Sequence, residues 1–192
     1  MILRLFYPSV YPGILMLALC LTACDPTPGR ENAVRSAQES NERLHPEALE
    51  ETTGFMVKFA SVNRMGQRMG EVARQKSKIP AVLEFARASQ YSYQKILKSL
   101  DSLASRKQIA LPAVPGDIEQ AKINDLIEMQ TPQFEEAYLG YIKAMHDENR
   151  IRIKEVYENT PDPQVQEFAE KMLVANRLLF KNAESLENHL FD

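Results

Sequence analysis

Beyond residue 46 the apolar side chains recur every three or four positions, the spacing of one face of an α-helix. A first run presents Phe55, Phe59, Val62, Met69 and Ala73. A second presents Val82, Phe85, Ala86, Ser89, Tyr93, Ile96, Leu97, Leu100 and Leu103. A third presents Phe134, Tyr138, Tyr141, Met145, Ile153 and Val156, and a fourth Val165, Phe168, Ala169, Met172, Leu179, Ala183, Leu186 and Leu190. No stretch alternates with the period of two that marks a half-buried strand.

Punctuation agrees with the periodicity. Prolines fall where first helical turns begin. Pro46, followed by Glu47, Glu50 and Glu51, opens a helix that closes near Lys78 on Arg74, Lys76 and Lys78, so charge complements the helix dipole at both ends. Pro80 opens the second, to about Arg106. Asp117, with Gln120 three residues on, caps a shorter helix. Thr131 and Pro132 begin the next, to about Asn159, and Asp162 and Pro163 the last, to about Leu190. These elements predict an all-α, up-and-down four-helix bundle with one short extra helix in the long central connection, which includes "LPAVPG" at 111–116.

The first 45 residues differ. Residues 13–21 are apolar and uncharged, preceded by Arg4, Pro8 and Pro12. That run falls short of the roughly 20 apolar residues that span a bilayer. It reads as a signal peptide over 1–23. It ends in Leu21-Thr22-Ala23-Cys24, which resembles the lipobox of bacterial lipoproteins. The resemblance implies cleavage before Cys24, lipid (palmitate among it) on the thiol, and acylation of the new amino group. Several acyl chains anchor stably where one binds marginally. The remaining cysteine, Cys20, leaves with the leader, so the mature chain has no disulfide. Asp25 follows the lipidated position, and the choice between inner and outer membrane stays open. Residues 24–45, rich in Pro, Asn, Ser, Gln and Glu, read as a flexible tether with a weak helix near 31–39, and 46–192 as the bundle domain.

Three stretches of the bundle resemble a family of small ferritin-like bacterial envelope proteins, filed as a domain of unknown function and often labelled outer membrane proteins. They are "MGEVARQKSKIPAVLEFA" at 69–86, "FEEAYLGYIKAMHDENRIRI" at 134–153 and "DPQVQEFAEKML" at 162–173. The resemblance implies a ferritin-like bundle with His or Glu at its centre, as for a metal site between helices. Position by position, the family's Glu on the first long helix meets Gly66 or Arg68 here. Its His on the second meets Tyr93, its His on the next matches His146, and its His on the last meets Leu179. One imidazole does not make a metal centre, which takes three or four protein ligands, so no metal or other cofactor is expected. Glu42 and His45 have Glu-x-x-His spacing but lie in the tether, and His189 is near the C-terminus.

Other polar positions offer a candidate pocket. Asn149 and Asn176 sit in apolar stripes, where they are expected to bond each other or a backbone carbonyl and fix register. The sharper alternative is a polar pocket formed with Tyr93 and His146, the latter placed half-exposed on the flank of its stripe. Gly66 and Gly70, four apart, each cost about 1 kcal/mol against Ala in a helix, which implies close approach of a neighbouring helix. Met56, Met65, Met69, Met129, Met145 and Met172 read as core filler rather than copper ligands. Arg64, Arg68 and Arg74, interspersed with Glu71, read as a solvated face.

The chain of 192 residues carries a net charge of −3. Cleavage would leave 22 basic against 26 acidic side chains, and no clustered basic surface argues for nucleic acid. No nucleophile triad or Gly-rich phosphate loop is visible, which favours a non-enzymatic role with no catalytic residue. The expected protein is a lipid-anchored, periplasm-facing envelope lipoprotein that binds a protein partner or small ligand through its helix faces, as an accessory, stress-related or immunity-type factor. The rival is a ferritin-like metal-binding or metal-dependent redox protein with degenerate ligands.

Overall fold

The computed structural model describes residues 33–44 and 50–191. The leader, Cys24 and its lipidation, and His45 lie outside the described residues. Six helices are present: α1 (Ala33–Leu44), α2 (Glu50–Lys76), α3 (Pro80–Lys107), α4 (Asp117–Glu128), α5 (Gln133–Asn159) and α6 (Pro163–Phe191). The described residues contain no strand. The fold is an all-α, ferritin-like bundle of α2, α3, α5 and α6, with α4 in the long connection.

Local chemistry sets the helix ends. α2 stops at Lys76 rather than Lys78, because Pro80 disfavours helical geometry in the residue before it and Ile79 is extended. Pro80 then occupies the first turn of α3, and Gln108 ends that helix in the left-handed region at φ 56°. The Asp162 carboxylate caps α6, accepting from the N–H groups of Gln164 at 2.9 Å and Val165 at 3.3 Å. It also pairs with Lys107, tying the end of α3 to the start of α6. For α4 the cap is Gly116, one residue earlier than expected. Its N–H donates to Ser61 Oγ at 2.8 Å. A Cβ there would lie 2.8 Å from a Val34 methyl, so any larger residue would push against α1.

Contacts fix the topology. Gly66 faces Tyr93 and Gly70 faces Gln90, so α2 and α3 are antiparallel. His146 meets Asn176 and Lys143 meets Glu187, so α5 and α6 are antiparallel too. Phe85 meets Tyr138 and Tyr93 meets His146, so α3 and α5 run the same way. The two hairpins therefore run up, down, down, up. α4 carries the chain back along α2, held at one end by Lys58 and Ser61 on Glu119. At the other end Lys76 Nζ donates to the carbonyls of Ile127 and Met129.

The tether reading is revised for residues 33–44, which form α1 and dock on the bundle. Ala37 and Asn41 are buried. The Asn41 amide donates to Ala110 O at 3.0 Å and accepts from Ala110 N–H at 2.7 Å. A polar side chain here stands in for a backbone pair, so α1 needs no apolar stripe of the usual width.

Candidate functional site

Each long helix contributes one residue to a layer at the centre of the bundle: Gly66 from α2, Tyr93 from α3, His146 from α5 and Asn176 from α6. Tyr93 is fully buried, His146 is 1% exposed and Asn176 5%. His146 is thus a core residue, not the half-exposed flank position expected. α5 packs against α6, α2 and α4, and Tyr93 and Phe85 of α3 reach it too, so its buried face widens to include Leu139, Ile142, His146 and Asn149. On α6 the residue reaching the layer is Asn176; Leu179 packs in the apolar core. On α2 it is Gly66, whereas Arg68 is exposed and pairs with Glu71.

The hydrogen bonds fix every proton in the layer. Asn176 Nδ2 donates to the His146 backbone carbonyl at 2.7 Å, which leaves Asn176 Oδ1 as the acceptor. His146 Nδ1, 2.7 Å from that oxygen, therefore carries the ring proton. His146 Nε2 keeps a bare lone pair, and the Tyr93 hydroxyl donates to it at 2.9 Å. Burial pushes the His146 pKa down to about 4, although the Asn176 bond opposes that shift. Burial likewise pushes the Tyr93 phenol up, with a further rise from Tyr138. Both groups are neutral at pH 7.

Glycine at 66 is what admits the Tyr93 ring. A Cβ there would sit 2.6 Å from Tyr93 Cζ and 2.9 Å from both Cε atoms. At Gly70 the corresponding clash is with Gln90 Cγ at 2.8 Å. The pair of glycines serves close helix approach, as the spacing implied.

The structure brings Tyr93, His146 and Asn176 together but leaves Asn149 apart, one turn along α5. Asn149 is 2% exposed and its Nδ2 has no partner. Glu135 Oε2 and Arg152 Nη1 are likewise buried and unpaired, both on α5. An unmade buried bond costs about 1–3 kcal/mol. Asn149→Leu is therefore expected to leave stability unchanged or raise it by about 1 kcal/mol. Urea melts check this, and a loss of stability would mean that Asn149 has a bonding role after all.

The donor set does not fit a metal ion. Both ring nitrogens of His146 are engaged within the layer. Among the described residues no three His, Cys, Asp or Glu gather into a cluster. His189 is exposed near the end of α6. Met56, Met65, Met69, Met145 and Met172 are buried in the apolar core, with Met129 packed partly buried against it.

A second buried polar group has no local signal in the sequence. Glu119 is 5% exposed and takes bonds from Lys58 and from Ser61 Oγ, the latter at 2.9 Å. Burial pushes its carboxyl up, but the Lys58 and Ser61 bonds and the Lys58 charge outweigh this and hold it below the usual range. Its partners lie about sixty positions away, where no periodicity reaches. It latches the crossover to α2. On the surface, Val174 and Leu178 are exposed one turn apart on α6. No helix among the described residues is long and apolar enough to cross a membrane.

The bundle is similar to the crystal structure of a DUF305 fragment from Deinococcus radiodurans. The TM-score is 0.66 at 16% identity, over 74% of this chain and 99% of that one. At that identity the likeness speaks for the fold alone. No curated protein matches the chain. Residues 34–186, which run from α1 into α6, match the model of the domain of unknown function DUF4142, and the chain belongs to that family.

Proposed function

We propose that this protein is an envelope lipoprotein, acylated at Cys24 and facing the periplasm, whose bundle acts as a non-enzymatic interaction module. Its roles would be accessory, stress-related or immunity-type. The observation that carries the reading is the closed central layer: Tyr93, His146 and Asn176 spend their polar atoms on one another. A bundle whose centre is sealed meets other molecules at its helix faces, where Val174 and Leu178 stand exposed. The anchor rests on Leu21-Thr22-Ala23-Cys24.

Two measurements test this. Cys24→Ala is expected to remain an uncleaved precursor that takes up no labelled palmitate, with its helical circular dichroism unchanged. Normal labelling of that variant would overturn the anchor. Elemental analysis of protein purified without a His tag is expected to find no stoichiometric metal. Stoichiometric iron, copper or manganese that disappears in His146→Ala would favour the rival, a metal-binding or metal-dependent redox protein.

A further inference from the structure

We propose that Tyr93 is a metal-free redox site: a buried tyrosine that gives up one electron while its proton passes to His146. The inference goes beyond the interaction role above and does not depend on it. A phenol is oxidised most readily when a base stands ready for its proton, because the cationic phenol radical is a very strong acid. The layer supplies that base in the required tautomer. Asn176 holds the ring proton on Nδ1, so the Nε2 lone pair faces the Tyr93 hydroxyl at 2.9 Å.

The step balances as follows. An oxygen- or nitrogen-centred radical takes one electron from Tyr93 and is reduced to its anion. The Tyr93 O–H bond breaks and an N–H bond forms at His146 Nε2. The products are a neutral phenoxyl radical and an imidazolium whose Nδ1–H is still held by Asn176 Oδ1. Burial opposes the imidazolium, and the Asn176 oxygen supports it. A thiol- or ascorbate-class reductant returns the electron, and the proton moves back to the phenol oxygen.

Three features of the surroundings suit such a site. Tyr93 has no exposed surface, so its radical is shielded from coupling with other radicals. The chain has no tryptophan to compete for the oxidising equivalent. Met65 and Met69, beside Gly66 on α2, and Met145, next to His146, are all buried oxidisable side chains. Tyr138 supplies the internal control: it is equally buried, but its hydroxyl has as hydrogen-bond partner the Ser89 hydroxyl at 3.5 Å, which is no base.

Pulse radiolysis with azidyl radicals tests the proposal through the phenoxyl absorption. The wild-type protein is expected to form a long-lived phenoxyl fraction that survives Tyr138→Phe and is lost in Tyr93→Phe. It should also be lost in His146→Leu, where the phenol remains but its base does not. High-field electron paramagnetic resonance on the trapped wild-type radical is expected to show one exchangeable deuteron coupled to the phenoxyl oxygen. That readout stands even where His146→Leu fails to fold. An equal long-lived fraction in wild type and Tyr93→Phe, or a radical with no exchangeable deuteron, would overturn the proposal and leave the lipoprotein reading untouched.

Discussion

Acidifying the protein from pH 6.5 to pH 4 is expected to remove about 3 kcal/mol of folding stability through His146 alone. The unfolded chain accepts a proton on this imidazole below about 6.5, whereas burial holds the folded pKa down to about 4. Between those values the unfolded state binds more protons, so stability rises with pH across the window. The contribution is complete above pH 6.5, shrinks as pH falls, and is spent below about 4, where the folded state takes the proton too. Protonation would reverse the bond in the layer, since Nε2–H could only donate to the Tyr93 oxygen and the phenol proton would lose its acceptor. The check is a series of urea melts across this range for wild type and His146→Leu. The variant should be less stable at neutral pH, because the Tyr93 hydroxyl and Asn176 Oδ1 lose their partner, at about 1–3 kcal/mol each. Its profile should be flatter in the window. Parallel profiles for the two proteins would show that His146 does not titrate as the structure requires.

Replacing Gly66 with valine should cost about 3 kcal/mol or more, the upper end of the usual overpacking range. The first added carbon already lies 2.6 Å from the Tyr93 ring. The ring cannot retreat without giving up its bond to His146. Helix propensity works in the other direction, since glycine is about 1 kcal/mol poorer than alanine in a helix, and sterics win by their size. The comparison is with Gly54→Ala and Gly140→Ala, where an added Cβ meets nothing within 4 Å. Those two should gain about 0.5–1 kcal/mol. Tyr93→Leu should relieve Gly66→Val, so a double-mutant cycle should show strong coupling between the two sites. Additive effects would mean that the ring is not what glycine accommodates.

Much of this was legible in the chain. All five apolar positions assigned to the first long helix and all nine assigned to the second are buried. Pro80 and the Asp162-Pro163 pair mark the starts of α3 and α6 to within a residue. Part of the central layer was legible, because a polar side chain in an apolar stripe stands out against the helical period. Asn176 stands out in that way, and so does Asn149, whereas Tyr93 belongs to the apolar run of its helix and His146 falls on the flank of its stripe. How they pair was not legible. Asn149 and Asn176 carry the same signal, yet Asn176 joins His146 and Asn149 leaves its Nδ2 without a partner, because each helix's rotation about its axis selects which stripe residue meets which neighbour.

The sequence by itself determined the five helices from α2 to α6 and the long crossover, since these follow from periodicity, caps and prolines acting within a few residues. It also carried the signal of a polar centre without a full ligand set. Only the tertiary structure decided the proton positions of the layer, the burial of His146, the Lys58–Glu119 latch and the docking of α1 through Asn41. Those depend on groups about thirty to seventy positions apart in the chain, brought together by packing. A hydrogen bond needs its partner within about 3 Å, and no local pattern encodes that distance.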